Sequence, residues 1–227
     1  NGDDIEHFRE AINSLKIQSK FIDELIIVKN GLILDEHEET IKNIEKYINT
    51  KIIYLDKNIG LAKALNRGLN FISSMWVARF DSDDICHKDR FKIMKEKINS
   101  YGDKFDIFGF YIEEFNKSIG DLQMIRKVPL NLKDIKNRLL LSNPINHVTV
   151  IFKRELLKKF TTNNEDFYPL IEGFEDYALW VKLIGQNVKF INFPIVTVFV
   201  RIGNNMLSRR GGLKYIKSEL KFRFYIN

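Results

Sequence analysis

Cysteine is nearly absent from this sequence, in which Cys86 is the single example. One cysteine cannot form an internal disulfide, and a lone thiol beside acidic residues is typical of a reducing compartment. Long hydrophobic runs are absent too, because no stretch of about eighteen apolar residues occurs and no membrane-spanning helix is predicted. The first residues do not resemble a secretory signal. We therefore expect a cytoplasmic protein, with peripheral contact at the inner face of the cell membrane left open.

Two nucleotide-binding fingerprints are missing as well. The sequence contains neither a GxGxxG pattern nor a GK[ST] loop, which argues against dehydrogenases and P-loop enzymes. Neither repeats nor low-complexity tracts occur. With 227 residues, 44% of them hydrophobic, the chain has enough material for one core, so a single domain is predicted over residues 1–227. The net charge of +6 suits an anionic membrane, a nucleic acid or a phosphorylated substrate without choosing among them.

The spacing of apolar residues alternates between helix and strand periods through the first half of the chain. Helices are predicted over Ile5–Ser19, around Ile41–Ile48, around Leu61–Ile72 and around Phe91–Ile98, and strands over Leu25–Val28, Ile52–Leu55 and Met75–Phe80. This alternation favours an α/β fold with a mainly parallel sheet flanked by helices, in which ligands bind beyond the carboxyl ends of the strands.

The pattern changes in the second half of the chain. Strands are predicted over Phe105–Phe115, His147–Phe152, Val188–Phe193 and Val196–Val200, and helices over Leu132–Leu140 and Glu175–Ile184.

Three aspartates, Asp81, Asp83 and Asp84, follow the third predicted strand. Asp81 and Asp83 project to the same side of an extended backbone and can serve one ligand. Carboxylates suit Mg²⁺ or Mn²⁺, which complete their shells with water and substrate phosphates. A solvated turn is the usual alternative for such a cluster, and a phosphatase with an Asp-x-Asp nucleophile also remains open. An EF-hand is excluded because Cys86 and Lys92 occupy the positions that require Gly and Glu.

A second motif, NIGLAKALNRG, spans Asn58–Gly68. Together with the aspartates, the stretch Glu24–Arg90 resembles family 2 glycosyltransferases of the GT-A fold, and the resemblance continues at Asn146–Arg154 and Glu175–Trp180. Any one of these motifs is unspecific, whereas the ordered set covers most of the chain and is specific. The resemblance implies a Rossmann-like sheet with a smaller acceptor-side subregion.

The resemblance also implies which residues form the site. Those matching the donor-binding segments are Asn30, Asn58, Gly60, Lys63, Asn66, Arg79 and Asp81. Asp83, with Asp81, matches the ligands of Mn²⁺ or Mg²⁺, and Asp176 matches the base that deprotonates the acceptor hydroxyl, with inversion at the anomeric carbon. Further candidates are Asp84, His147, Glu175, Arg201, Arg209 and Arg210. Independently of the family, Gly60 opens a predicted helix whose free N–H groups favour phosphate.

The family pattern implies a nucleotide-sugar donor, UDP-linked by preference, and a saccharide or lipid-linked glycan acceptor of bacterial surface polysaccharides, with no nucleic-acid partner. Residues 1–100 would bind the donor and residues 101–212 would serve the acceptor and catalysis. Residues 213–227 predict an amphipathic helix that lies on an anionic leaflet or packs on the domain.

One departure concerns the start of the pattern. The family begins with a hydrophobic strand, and this sequence begins at Asn1-Gly2, where that strand would finish, so we expect the first, central strand to be missing. Two other functions stay open at this point: a sugar nucleotidyltransferase, and a non-catalytic basic module that binds membrane or nucleic acid.

Overall fold

The computed structural model describes residues 4–162, 166–202, 220, 222 and 223. The helices are α1 (Ile5–Lys16), α2 (Asp35–Ile44), α3 (Leu61–Leu69), α4 (Arg90–Tyr101), α5 (Leu132–Leu139), α6 (Glu155–Phe160) and α7 (Glu175–Gly185). The strands are β1 (Leu25–Asn30), β2 (Thr50–Leu55), β3 (Trp76–Ala78), β4 (Ile85–Cys86), β5 (Ile107–Phe115), β6 (Met124–Arg126), β7 (Ile151–Lys153) and β8 (Phe190–Arg201). None of the helices in these ranges is long and apolar enough to cross a bilayer.

Helix α1 begins where the sequence predicts, because the Asp4 side chain accepts hydrogen bonds from the backbone N–H groups of Glu6 and His7. It ends at Lys16, three residues before the predicted end at Ser19, and a 3-10 turn then covers Ser19–Phe21. The apolar face of α1 packs in one core with residues of α2 and with Cys86.

Strands β1 and β2 form a parallel pair, in register from Leu25 opposite Thr50 to Asn30 opposite Leu55. Helix α3 packs closely on β1, since a Cβ atom at Gly68 would lie 2.8 Å from the Cγ2 atom of Val28. This close approach agrees with a packing role for Gly68.

The other strands form a six-stranded sheet in the order β3-β7-β5-β8-β4, with β6 on β5. Only the pair β5–β8 is parallel among the described pairs of this sheet. The predicted α/β fold class is confirmed, but the pairing is mixed rather than mainly parallel, because β5 lies antiparallel to β7 and parallel to β8.

Two local predictions in the second half are wrong. The segment predicted as a strand from His147 starts as a 3-10 turn, His147–Thr149, since the Thr149 N–H and hydroxyl both donate to the Asn146 carbonyl. The two strands predicted around Pro194 form the single strand β8. Its register steps from Phe193 to Val196 against consecutive residues of β5, so Pro194 lies in a bulge, where its missing N–H costs no ladder bond.

A cavity of about 1110 Å³ lies between β1 and β3, lined by apolar residues of β1, α3, β3 and α4. In the described part of the chain, β1 pairs with β2 alone and β3 with β7 alone. The cavity is far larger than the water-sized voids of close-packed interiors. In the described part of the chain, the two sheets are therefore separated by this cavity.

Candidate active site

The three aspartates lie in a turn that directly follows β3. The Arg79 N–H donates to the Val150 carbonyl at 2.9 Å, so backbone pairing persists one residue beyond β3. The chain then turns through Ser82 and Asp83, and β4 begins immediately after Asp84. Strands on both sides therefore fix this turn, which places the carboxylates at a strand exit, as the sequence predicts.

Arg79 orients the first of these carboxylates. Its side chain is only 9% exposed and donates to the Asp81 carboxylate and to the Phe80 carbonyl. Burial opposes the charged form, but the Asp81 carboxylate raises the pKa of Arg79, so the guanidinium stays charged. Asp81 itself remains partly exposed. The ion pair thus holds Asp81 in one orientation at the rim of the turn.

Asp84 is the buried member of the cluster, with 3% of its surface exposed. Its Oδ1 accepts a hydrogen bond from the Arg201 N–H at 3.1 Å. Burial, and then the charges of Asp81 and Asp83, raise the pKa of Asp84 to about 8. The carboxyl is therefore mainly protonated at neutral pH, and the crowding of three acids is what a bound cation would relieve.

The donor set suits a divalent ion that shares its coordination with a ligand. No group of three or more His, Cys, Asp or Glu side chains in the described ranges is arranged as a metal site by itself. Mg²⁺ and Mn²⁺ sites, however, commonly use one or two carboxylates and take their other oxygens from water and phosphates. Asp81 and Asp83 fit that requirement, and their charges add to the effect of burial in raising the pKa of Asp84.

Asp84→Asn is expected to raise the free energy of unfolding of the metal-free protein at about pH 8, by on the order of a few kcal/mol. The unfolded carboxyl ionises near 3.8 and the folded one near 8, so stability is lost as pH rises between these values. Asparagine keeps the oxygen that accepts from Arg201 and cannot ionise. Urea denaturation across this pH range should show a flatter pH dependence than in the wild type and in an Asp103→Asn control. An unchanged slope would show that Asp84 does not carry this pH dependence.

Arg201, at the end of β8, lies beside the same turn. Its Nε donates to the Asp83 carbonyl at 3.4 Å, its guanidinium pairs with Glu10, and it lies 4.5 Å from the centroid of the Phe115 ring. The structure therefore brings this predicted residue to the aspartates. The other two predicted arginines of this segment, Arg209 and Arg210, lie outside the described residues.

Three of the predicted donor residues meet where β1 and β2 end. The Asn30 Nδ2 donates to the Asn58 Oδ1 at 3.1 Å, and the Asn30 Oδ1 accepts from the Ile59 N–H at 2.9 Å. The Gly60 N–H donates to the Asn58 Oδ1 at 2.9 Å. Gly60 has a φ of 86°, a left-handed conformation that favours glycine at this entry into α3. Asn30, Asn58, Arg79 and Asp81 all line the large cavity.

The other two predicted donor residues lie on α3. Lys63 is exposed. Asn66 uses both groups of its amide on the backbone of Tyr168, with its Nδ2 donating to the carbonyl and its Oδ1 accepting from the N–H, each at 2.9 Å. Asn66 therefore fixes the Tyr168 loop in the structure, and its contact with a donor stays a prediction.

Tyr168 is a central residue of the site that the sequence analysis missed. Its hydroxyl lies 2.9 Å from the Nε2 of His147, and Tyr168 is buried whereas His147 is half-buried. Burial, followed by the nearby charge of Arg79, lowers the pKa of His147 to about 3, and burial raises the pKa of Tyr168. His147, predicted as an acceptor or diphosphate contact, is thus a neutral partner of Tyr168. No motif surrounds Tyr168, so the sequence offers no signal for it beyond an aromatic residue before Pro169.

Asp176 lies in the first turn of α7. Its Oδ2 accepts from the Asn143 Nδ2 at 2.7 Å, and its Oδ1 accepts from the Tyr177 N–H at 2.8 Å. Both oxygens are oriented, yet each carboxylate oxygen retains a free lone pair. The charges of Asp176 and Asp81 both act on Tyr168, so the predicted base and the first of the strand-exit carboxylates influence the same buried phenol.

Glu175, the neighbour of this base, is almost fully buried. Burial raises the pKa of Glu175, and its Oε2 has no hydrogen-bond partner within the part of the chain that the structure describes. Glu175 is therefore a buried acid next to Asp176 in the chain, and its surroundings disfavour the charged form.

Arg90 supports the aspartate turn from the protein interior. The sequence analysis did not identify this residue either. It is fully buried, donates to the carbonyls of Arg79 and Val148, and lies 5.2 Å from the centroid of the Phe80 ring. A signal existed, because Arg90 stands four residues before Met94 on the apolar face of α4. A cation on an apolar face is seldom solvated, so it predicts a buried structural contact.

The family model of glycosyl transferase family 2 matches residues 5–161 of this chain. The chain belongs to glycosyl transferase family 2. The ordered motifs from which this family was expected lie largely within the matched range. Membership also decides against the alternatives of a sugar nucleotidyltransferase and a non-catalytic basic module.

Curated relatives of this family 2 chain include bacterial glycosyltransferases. An uncharacterized glycosyltransferase of Haemophilus influenzae is 35% identical over 97% of this chain and 82% of its own length. A UDP-Gal:alpha-D-GlcNAc-diphosphoundecaprenol beta-1,3-galactosyltransferase of Escherichia coli is 36% identical over 95% of this chain and 76% of its own length. The amylovoran biosynthesis glycosyltransferase AmsE of Erwinia amylovora is 30% identical over 95% and 78%, respectively.

Solved structures confirm the fold of the family 2 chain. TarS residues 1–349 of S. aureus in complex with UDP-GlcNAc superimposes with a TM-score of 0.72 at 18% identity, over 97% of this chain and 62% of that one. The mannosyltransferase PcManGT of Pyrobaculum calidifontis, in complex with GDP-Man and Mn²⁺, gives a TM-score of 0.61 at 14% identity, over 100% and 70%. The chain thus spans less than two thirds of TarS, and both likenesses concern the fold, which is of the GT-A type.

Proposed function

We propose that this chain transfers a sugar from a UDP-sugar to a saccharide carried on a lipid diphosphate, by direct displacement with inversion and with a divalent cation. The observation that carries the proposal is that Asp81, in the turn after β3, and Asp176, held by Asn143, both act electrostatically on the buried Tyr168. Sugar transfer needs carboxylates that hold a cation beside the leaving diphosphate. It also needs a carboxylate base beside the acceptor hydroxyl, on the other side of the sugar. The named activity of the Escherichia coli relative supports the choice of both substrates.

On the donor side, the chain itself supplies orientation and hydrogen bonds. Asn30 and Asn58, locked to each other, lie at the ends of β1 and β2, where an amide can both donate to and accept from a base or ribose. The N-terminus of α3 directs backbone N–H groups and the positive end of its dipole toward a diphosphate. Arg79 keeps Asp81 oriented, and Arg201 lies beside Asp83.

The cation is assigned to Asp83 and Asp81. When bound, Mn²⁺ or Mg²⁺ supplies positive charge that stabilises the departing nucleoside diphosphate. The neighbouring Asp84 would lose its proton more readily beside a bound cation, because positive charge favours the ionised carboxylate.

On the acceptor side, Asp176 takes the proton of the attacking hydroxyl. Asn143 and the Tyr177 N–H hold one oxygen each, so the carboxylate presents its remaining lone pairs in a fixed direction. Attack from the face opposite the diphosphate inverts the anomeric centre, and no sugar becomes attached to the protein.

A donor screen tests this function. With Mn²⁺ present, the purified protein is expected to release nucleoside diphosphate from UDP-sugars at least about ten-fold faster than from GDP- or dTDP-sugars, and a chelator should abolish the release. Proton NMR of the product should show a β-linkage from an α-linked donor. Metal-independent release, or a product that retains the donor configuration, would contradict the proposed mechanism.

A further inference from the structure

Two consecutive leucines directly after α5 lie almost fully in water. Leu140 is 84% exposed and Leu141 is 83% exposed. Their position is fixed rather than frayed, because the Leu141 and Ser142 N–H groups both donate to the Arg138 carbonyl at 2.9 Å and continue the helical turn. Burial of such an ordered pair of exposed aliphatic side chains against an apolar partner is favourable.

The exposed face of α5 that leads to this pair is basic. Lys133 and Lys136 precede Leu140 by seven and four residues, so the three side chains share one helical face, and Arg138 lies in the last turn. Opposite them, Ile135 is fully buried and anchors the helix to the domain. Asp134 is the one acid of this helix, whose net charge is therefore positive. A basic helix face followed by exposed leucines matches an anionic lipid surface. The cations can pair with the headgroups while the leucines insert among the acyl chains.

The same segment is bonded directly to the proposed acceptor side of the site. The Tyr177 hydroxyl donates to the Leu139 carbonyl at 2.5 Å, and Asn143 donates to Asp176 at 2.7 Å. Asn143 follows Leu141 by two residues, and two residues of chain span at most about 7 Å. The leucine pair is thus held beside the carboxylate that is assigned as the base.

We propose that α5 and the Leu140–Leu141 pair form the surface that docks this chain onto an anionic lipid membrane. The inference rests on the proposed function, since a lipid-linked acceptor must be met at a membrane. Docking here brings Asp176 to the level of the headgroups, where the diphosphate-linked saccharide of such an acceptor lies. The predicted membrane contact of residues 213–227 concerns a different segment, largely outside the described residues.

A second exposed apolar surface provides the control. Met124 and Ile125, on β6, are 51% and 48% exposed. Their partners across the strand pair are Glu114 and Glu113. Carboxylates beside these side chains repel an anionic surface, so we expect no membrane contact at β6.

Sedimentation with phosphatidylglycerol-containing vesicles tests the surface, with the wild type and three double variants. Leu140→Ser with Leu141→Ser is expected to lower vesicle binding at least about ten-fold, because the apolar insertion is lost. Lys133→Gln with Lys136→Gln should lower it about 25-fold, at roughly a five-fold loss per cation, and the loss should shrink in high salt. Met124→Ser with Ile125→Ser should bind within about two-fold of the wild type.

Donor hydrolysis without vesicles separates this inference from the proposed function. All three variants should release nucleoside diphosphate at the wild-type rate, and circular dichroism should report the same fold. Wild-type binding by the leucine variant, or no binding by the wild type, overturns the docking surface even if the donor is used. Self-association that disappears in the leucine variant, without vesicle binding, would show a protein interface and equally overturn it. Leucine-dependent binding without donor use would reject the proposed function alone.

Discussion

Asp83→Ala is expected to lower kcat/KM for sugar transfer by at least about 10³-fold, with the larger part of the loss in kcat. Asp83 is assigned to the divalent cation, and a developing charge on the leaving diphosphate loses its main stabilisation without that ion. Titration of Mn²⁺ followed by electron paramagnetic resonance gives a readout besides activity, and the variant should bind the ion at least about ten-fold more weakly.

The same variant carries an internal control for folding. Because the Asp83 charge helps to raise the pKa of Asp84, its removal should lower that pKa and make the folded protein more stable near pH 8. Lost activity with raised stability therefore separates a metal role from unfolding. Asp103→Ala, which removes an exposed aspartate beyond α4, should leave both properties unchanged. Full transfer activity in Asp83→Ala would show that Asp83 does not bind the cation, and it would contradict the proposed donor chemistry.

The elements of the first half could be predicted because each carries its own local signal. Leu25–Val28 is a continuous apolar run that precedes Asn30 and a glycine, and the Asp4 cap marks the start of α1. Such signals depend on neighbours in sequence. The 3-10 turn at His147 depends instead on Asn146, whose side chain donates to carbonyls of two different segments, Phe110 and Arg126. Periodicity of apolar residues cannot report that kind of long-range bond.

The residues of the candidate site also divide into those with a signal in the sequence and those that depend on long-range contacts. Asp81, Asp83 and Asp176 were predicted because their types and order match a family pattern. Tyr168 was missed because its contacts are non-local: Asn66 holds its backbone from 102 residues away, and His147 meets its hydroxyl. The shared influence of Asp81 and Asp176 on Tyr168 is therefore a result of the tertiary structure.

Strand pairing in the second half could not be predicted from the sequence, for a related reason. Alternating helices and strands favour parallel pairs only where each helix crosses over the sheet. Strand β5 instead lies between β7 and β8, antiparallel to one and parallel to the other. Its own residues are buried on both faces and give no indication of neighbour direction.

Asp176→Asn is expected to lower kcat by about 10²- to 10⁴-fold while leaving the donor affinity unchanged. The amide keeps an oxygen for the Tyr177 N–H but cannot take a proton from the acceptor hydroxyl. Equilibrium dialysis with a UDP-sugar and Mn²⁺ measures the affinity, and single-turnover kinetics measure the transfer step. The acidic limb of the pH–rate profile should also disappear, because no carboxylate remains to be protonated at this position.

Asn143→Ala distinguishes a base from a residue that only shapes the site. It removes the hydrogen bond of 2.7 Å to the Asp176 Oδ2 but keeps the carboxylate, so kcat should fall by only about ten-fold and the acidic limb should persist. If Asp176→Asn and Asn143→Ala lowered kcat equally and both kept the acidic limb, Asp176 would act through position alone. The base would then have to be sought elsewhere among the acids near Tyr168, with Glu175 the next to test because it lies beside Asp176 and its Oε2 lacks a hydrogen-bond partner in the described ranges.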